Sequence, residues 1–242
     1  MSPIHSGSQI PPRQRLIVAL DVPDANAARA LVTELGDAVE FYKIGLELAM
    51  SGSYFELLAW LLERGKRVFA DLKFYDVPAT VAAAVRQIRH RGATFLTVHG
   101  DRAIMEAAAA EKGNALRVLA VTVLTSLDKS DLEQMGIRDD LRTVVLNRAR
   151  LAIESGCDGV IASGHEASAL RAALGAGPLI VTPGIRRADH GSSDDQKRIV
   201  TPASAIESGA DYLVVGRPIR AAADPQAAAE AMQREIAAAL RQ

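Results

Sequence analysis

The chain has 242 residues, of which 49% are hydrophobic, and its 28 basic and 29 acidic side chains leave a formal net charge of −1. This length suits one large core or two small ones, and single α/β barrels commonly have it. Without a basic excess, the composition argues against nucleic acid and anionic membranes as partners, so any anion site must be local. No uninterrupted apolar run approaches the ~20 residues that a membrane helix needs.

Residues 1–14 are polar and proline-rich and lack the apolar run of a signal peptide. We therefore expect a disordered N-terminal tail, followed by a single catalytic domain over residues 15–242. The one cysteine, Cys157, excludes an intrachain disulfide and fits a reducing, cytoplasmic location. We interpret Cys157 as a small buried side chain at the start of a strand.

From residue 15 onward, short β-branched runs alternate with segments of helical spacing. Cap signals mark several helices, such as Asp24 ahead of one and Ser53 ahead of another that ends at Gly65. The predicted strands are 15–21, 39–45, 67–73, 94–100, 116–124, 158–163, 178–184 and 211–217. This alternation predicts an α/β fold, a single (β/α)8 TIM barrel. The alternative is an open doubly wound sheet, which is weakened because no G-x-G-x-x-G follows the first strand.

Charged residues follow one another at the predicted strand ends. Asp21 ends the first strand, Lys43 the second, and Asp71 and Lys73 the third. In a barrel these ends build the site, and side chains at i and i+2 of a strand share a face. We therefore predict that Asp71 and Lys73 point into the barrel mouth while Leu72 points away. A structural ion-pair network is the alternative, but such buried pairs often cost more in desolvation than they return.

The end of the chain predicts an anion site. In "VVGRPIR", Gly216 and Arg217 lie between the last predicted strand and a helix. Loops after strands seven and eight of such barrels often bind phosphate, glycine lets the backbone approach, and arginine adds charge-assisted hydrogen bonds. Arg186 begins the polar segment 186–198, which we interpret as a lid or binding loop rather than a surface insertion. Together the two arginines would hold one phosphate; the alternative for Arg217 is a surface position near a helix cap.

The histidines do not predict a metal site. His99, His165 and His190 fall in separate strand–helix units without ligand spacing. His99 ends a predicted strand, where an ordinary polar residue is favoured over a functional one.

The stretch "DLKFYDVPAT", Asp71 to Thr80, resembles the signature of the orotidine 5′-monophosphate decarboxylase family, Asp-x-Lys-x-x-Asp-[Ile/Val]-Pro-x-Thr. Further segments are similar to the bacterial branch of the family and stand in its order: "VALDV", "YKIGLEL", "VTVLTSL", "VTPGIR", "DQKRIVTP" and "YLVVGRPI". The chain departs from the commonest pattern at Tyr75, where histidine is usual, and at Ala79, where asparagine is usual. Neither position is a charged member of the motif.

The resemblance implies an enzyme that converts orotidine 5′-monophosphate to UMP, as a homodimer without metal or organic cofactor. Asp71 and Lys73 resemble the central catalytic pair, and Lys43 and Asp76 the flanking charges. Asp76 and Thr80 resemble residues that reach into the partner subunit's site. The implied substrate ligands are Asp21 and Lys43 for the ribose, Thr125 and Ser126 for the pyrimidine, and Arg186, Gln196, Gly216 and Arg217 for the phosphate.

The charges suit this chemistry. Loss of CO₂ from C6 leaves a carbanion in the plane of the ring, which cannot delocalise into the π-system and needs fixed positive charge. Lys73 would supply that charge and then a proton.

Three other functions remain open from the sequence. Mg²⁺-dependent sugar-phosphate decarboxylases and synthases share the Asp-x-Lys-x-x-Asp motif, although "LTS", "PGIR" and Gln196 favour the nucleotide enzyme. A Schiff-base aldolase would use Lys73 as its nucleophile. A catalytically silent phosphate-binding barrel would not need the complete set of charges.

Overall fold

The computed structural model describes residues 10–186 and 200–241. There the chain forms eight parallel strands that close into a barrel in sequence order. The strands are β1 (Leu16–Ala19), β2 (Phe41–Ile44), β3 (Arg67–Phe74), β4 (Phe95–Val98), β5 (Arg117–Val121), β6 (Gly159–Ile161), β7 (Leu179–Thr182) and β8 (Tyr212–Val215). Because β1 pairs with both β2 and β8, the predicted TIM barrel is confirmed and the open sheet is wrong.

Helices connect the strands and surround the barrel. They are α1 (Ala25–Leu35), α2 (Leu46–Met50), α3 (Tyr54–Glu63), α4 (Pro78–His90), α5 (Arg102–Glu111), α6 (Lys129–Gln134), α7 (Leu141–Glu154), α8 (Gly164–Leu174), α9 (Pro202–Glu207), α10 (Arg217–Arg220) and α11 (Pro225–Ala239). The Asp24 carboxylate caps α1 as predicted, by accepting the N–H groups of Asn26 and Ala27. Across the described ranges, no helix has both the length and the apolar character to cross a membrane.

Alternate strand residues divide the core into two layers. Residues such as Leu16 and Val18 pack under the helices, while Ile17 and Ala19 face the barrel interior. Cys157 is buried, as predicted.

Aromatic rings close the barrel at the amino ends of the strands. Phe41 and Phe95 lie 5.0 Å apart between ring centroids, and Tyr212 packs edge-on against Phe95, also at 5.0 Å. The Arg67 guanidinium lies 4.4 Å from the Phe41 centroid, in a cation–π contact. This end of the barrel is therefore filled, and the charged residues predicted at the strand ends lie at the opposite end.

The structure differs from the predicted tail at residues 10–14, which are the last residues of that tail. Residues Pro12–Gln14 form a 3₁₀ turn, and the Gln14 side chain accepts a hydrogen bond from Arg67. Ile10 is only 8% exposed and packs with the barrel-interior residues, because it brings apolar surface to the closed end. The packed body thus includes residues 10–14, ahead of the predicted boundary at residue 15. Residues 1–9 lie outside the described part.

Candidate active site

A cavity of about 350 Å³ opens at the carboxyl ends of the strands. It collects nine of the predicted site residues from six of the eight strand ends: Asp21, Lys43, Asp71, Lys73, Thr125, Ser126, Arg186, Gly216 and Arg217. The predicted residue Gln196 lies outside the described residues, as do His190 and the rest of 187–199. Asp76 and Thr80 are exposed and do not border this cavity as the described residues form it.

Four of these side chains form a chain of alternating charge. The Lys43 ammonium lies 2.9 Å from Asp21 Oδ1 and 3.3 Å from Asp71 Oδ2. Lys73 Nζ lies 2.9 Å from Asp71 Oδ1. The side chains of Lys43 and Asp71 are 11% and 13% exposed, whereas Lys73 retains 33% of its side-chain surface. Lys73 is thus the more accessible of the two ammonium groups that flank Asp71.

Opposite charges keep the buried members of this chain ionised. Burial by itself would raise the pKa of the Asp71 carboxyl, but Lys43 and Lys73 outweigh it, so that the pKa is lowered. Burial would likewise lower the pKa of the Lys43 ammonium, but Asp71 and Asp21 outweigh it and the pKa is raised. The site therefore presents fixed charges to any molecule in the cavity.

An irregularity in β3 directs Asp71 and Lys73 toward the cavity. Ala70 pairs with Leu96 of β4 and Phe74 with Val98, so three residues of β3 lie opposite one residue of β4. The bulge adds an even number of residues and therefore preserves alternation. Asp71 and Lys73 both border the cavity, while Leu72 packs against the layer beneath the helices, so the predicted directions are confirmed.

The bulge places Lys73 in an unusual backbone conformation. Its φ is +48°, and it is the single non-glycine residue with positive φ in ranges 10–186 and 200–241. A side chain in this left-handed region costs on the order of 1–3 kcal/mol and persists where surrounding contacts fix it. Nothing in the sequence pattern "RVFADLKF" indicated this conformation.

Thr97 is the β4 residue opposite the bulge, and sequence reasoning missed it. Its side chain is fully buried. The hydroxyl accepts the Lys73 backbone N–H at 2.9 Å and donates to Asp71 Oδ1 at 2.9 Å. A signal was available, because Thr97 is the one polar residue of the strand "FLTV" and stands two residues after Phe95, which faces the barrel interior.

The predicted anion-binding end lies across the mouth from the bulge. Gly216 precedes α10 and Arg217 is its first residue. A Cβ added at Gly216 would lie 3.5 Å from Asp21 Oδ2, an ordinary van der Waals distance, which places Gly216 beside the Asp21 end of the charge chain. The Arg186 N–H donates to Val200 O at 3.0 Å, which joins the two ends of the segment that the structure leaves undescribed.

Tyr75, Gly100 and His99 pack together beside the site. The Tyr75 and His99 rings lie 5.7 Å apart in an edge-on contact. Gly100 has φ +123°, and a Cβ there would come within 2.7 Å of the Tyr75 ring. Burial, followed by Arg148 and Lys73, lowers the pKa of His99. His99 does not border the cavity of the described residues, which agrees with the favoured interpretation of an ordinary packed histidine.

Among the residues with described positions, no three His, Cys, Asp or Glu side chains group closely enough for a metal ion.

The chain is similar to proteins of one family over most of its length. Residues 14–232 match the sequence profile described as "Orotidine 5'-phosphate decarboxylase / HUMPS family". An orotidine 5'-phosphate decarboxylase of Methylococcus capsulatus is 54% identical over 96% of this chain and 95% of its own. One of Stenotrophomonas maltophilia is 55% identical over 94% of each chain. The crystal structure of orotidine 5'-phosphate decarboxylase from Lactobacillus acidophilus superposes with a TM-score of 0.81 at 36% identity, covering 92% of this chain and 99% of that one. The chain therefore belongs to the orotidine 5'-phosphate decarboxylase / HUMPS family.

Proposed function

We propose that the protein is a cytoplasmic carboxy-lyase that converts orotidine 5′-monophosphate to UMP in de novo pyrimidine biosynthesis, without metal or organic cofactor. The observation that carries this proposal is the charge chain from Asp21 to Lys73, in a cavity that Thr125, Ser126 and Arg217 also border. The names of the similar proteins support the same substrate.

Lys73 is the proton donor in this proposal. Its ammonium group is accessible from the cavity and is held by Asp71. As the C6–CO₂ bond breaks, the electron pair stays on C6 and CO₂ leaves as a neutral molecule. A fixed cation stabilises that in-plane pair without solvent reorganisation, and proton transfer from Lys73 Nζ to C6 then gives UMP.

Asp71 has two roles in the same step. It keeps Lys73 charged and aimed, and it faces the carboxylate of the substrate. Two like charges ~4 Å apart repel by about 4 kcal/mol at an effective dielectric near 20. This repulsion disappears as CO₂ forms, so it favours bond breaking in the bound state.

The remaining cavity residues bind the parts of the nucleotide that do not react. Asp21 and Lys43 would hold the ribose hydroxyls, and Thr125 and Ser126 the pyrimidine. Arg186, Gly216 and Arg217, with Gln196, would bind the phosphate. Binding energy from the distant phosphate can then be used to position C6 against Lys73.

We also propose a homodimer in which Asp76 and Thr80 complete the partner's site. Residues 75–80 are all exposed, and their Tyr75 and Val77 side chains retain 68% and 62% of their surface. Leu46 and Met50 of α2 are also exposed, at 56% and 80%. In the proposed dimer these side chains belong to one contiguous interface, the arrangement in which exposed apolar residues mark a protein contact. Asp76 would lie within this interface.

A spectrophotometric assay with orotidine 5′-monophosphate tests the proposed function. We expect turnover to UMP that is unchanged by EDTA, because no step uses a metal. Activity that EDTA abolishes would favour the Mg²⁺-dependent sugar-phosphate enzymes of the same suprafamily. Trapping of a substrate adduct on Lys73 by borohydride would favour the aldolase, and no turnover would favour a silent phosphate-binding barrel.

Arg217→Ala should reduce kcat/KM for orotidine 5′-monophosphate by at least about a hundredfold, because a charge-assisted contact to phosphate is lost. It should change kcat/KM for orotidine, which has no phosphate, by less than about threefold. Steady-state kinetics with both substrates measures the difference. Arg234→Ala is the matched control, since Arg234 is 70% exposed on α11 and pairs only weakly with Glu230 at 3.7 Å. Equal losses on both substrates would refute the phosphate role of Arg217.

A further inference from the structure

We propose that Thr97 is a positioning residue for the decarboxylation, whose one hydroxyl fixes the Lys73 backbone and the Asp71 carboxylate relative to each other. The inference rests on the proposed function, in which this pair acts on the substrate. Thr97 is fully buried and does not border the cavity as the described residues form it, so it acts through its neighbours.

The bonding directions at this hydroxyl are determined by its partners. The Lys73 backbone N–H can only donate, so it uses a lone pair of Thr97 Oγ1 at 2.9 Å. The Asp71 carboxylate is ionised and can only accept, so the hydroxyl hydrogen points to Asp71 Oδ1, also at 2.9 Å. Lys73 Nζ contacts the same Oδ1 atom at 2.9 Å. Three consecutive hydrogen bonds thus connect the backbone N–H of Lys73, through the Thr97 hydroxyl and the Asp71 carboxylate, to the ammonium group of the same lysine.

The bulge explains why a side chain is needed here. Three residues of β3 lie opposite Thr97, so the regular ladder between Ala70 and Phe74 is interrupted. The ladder resumes where the His99 N–H donates to Phe74 O at 3.0 Å. In the interruption, the Thr97 hydroxyl takes the place of a backbone acceptor for Lys73. It therefore supports the positive φ of Lys73 at the point from which the side chain enters the cavity.

Removal of the hydroxyl should impair the chemical step and spare nucleotide binding. Thr97→Val keeps the shape of the side chain but leaves the Lys73 N–H without its acceptor and removes one of the donors to Asp71, whose contacts with Lys43 and Lys73 remain. We expect kcat to fall about 10- to 100-fold, the range that corresponds to losing a hydrogen bond to a charged group. The affinity for UMP should stay within about threefold of wild type, because the phosphate residues lie elsewhere in the cavity.

A second pair of variants differs by the same oxygen. Thr97→Ser retains the hydroxyl and should keep kcat within about threefold of wild type, whereas Thr97→Ala should match the loss in Thr97→Val. Thr122→Val is the matched control. Thr122 is 1% exposed, and its hydroxyl bonds to Ile161 O at 2.9 Å, away from the charge chain. Its kcat should remain within about threefold of wild type.

The measurements are steady-state kinetics, calorimetric UMP binding, and NMR hydrogen exchange of the Lys73 amide without substrate. That amide should exchange faster in Thr97→Val and Thr97→Ala than in wild type and Thr97→Ser.

Three results would each overturn the positioning role. They are a wild-type kcat in Thr97→Val, equal losses of kcat in Thr97→Ser and Thr97→Ala, and a UMP affinity that falls in parallel with kcat. If Thr97→Val does not fold, the Ser and Ala pair decides. An inactive wild type would instead refute the proposed function, and the positioning role with it, whether or not the amide is protected.

Discussion

Lys73→Ala should lose nearly all turnover of orotidine 5′-monophosphate and still bind UMP. In the proposed mechanism the variant lacks both the cation beside C6 and the proton that C6 needs, while the proposed phosphate ligands are unchanged. Single-turnover kinetics measures the first effect and calorimetry with UMP the second. Retention of more than about a tenth of wild-type kcat, a loss under ~1.4 kcal/mol, would show that the role assigned to Lys73 is wrong.

Lys112→Ala is a suitable control for Lys73→Ala. Lys112 is also a partly buried lysine paired with a carboxylate, since its ammonium group lies 2.9 Å from Asp158 and its side chain is 20% exposed. This pair lies at the closed end of the barrel, because Asp158 immediately precedes β6. Its loss should reduce stability without a selective effect on kcat.

A mixture of two inactive variants should recover about a quarter of wild-type activity if sites are shared in a twofold dimer. Lys73→Ala and Asp76→Ala homodimers should each be nearly inactive. After joint unfolding and refolding in equal amounts, half of the dimers are mixed. One site of a mixed dimer carries both substitutions and the other carries neither. The unsubstituted site is fully active, so a mixed dimer has half the activity of a wild-type dimer. The assay is turnover after refolding, with mixed dimers verified by native mass spectrometry.

The control mixture pairs Lys73→Ala with Asp71→Asn. Both residues border the cavity of their own chain, so each site of a mixed dimer contains one substitution. No recovery is expected from this mixture. If the mixture containing Asp76→Ala also fails to recover although mixed dimers are present, Asp76 serves its own subunit and the proposed exchange is wrong.

The strand ends were predictable because they combine two strong signals. Hydrophobic runs followed by Asp21, Lys43 and Asp71 indicated both the strands and their polar ends, and parallel strands bring such ends together. Seven of the eight strands are shorter than predicted, whereas β3 extends one residue further, to Phe74. For example, β5 ends at Val121, whereas the apolar pattern continued to residue 124. Apolar residues beyond the ladder form the wall of the cavity, so hydrophobicity alone does not reveal where pairing stops.

The bulge and its partner were not predictable from the same pattern. Alternation in "RVFADLKF" is identical for a regular strand and for one with two extra residues, because both keep the same faces. The role of Thr97 depends on its position opposite the bulge in another strand, which is a tertiary relation. Ile10 was missed for a similar reason, because a single apolar residue in a polar segment gives no periodicity.

The bulge adds two residues to β3, and this even number constrains which changes in length the strand can accept. Deleting one residue between Ala70 and Phe74 would reverse the faces of the strand on one side of the deletion. Either a charged side chain would then point toward the helices, or Phe74 would point into the cavity. Deleting two residues would restore a regular ladder, but it would remove the left-handed turn that carries Lys73. Losses of one or two residues in this stretch are therefore incompatible with the charge chain even where the barrel itself would close, so the length of β3 is constrained by the residues that it presents to the cavity.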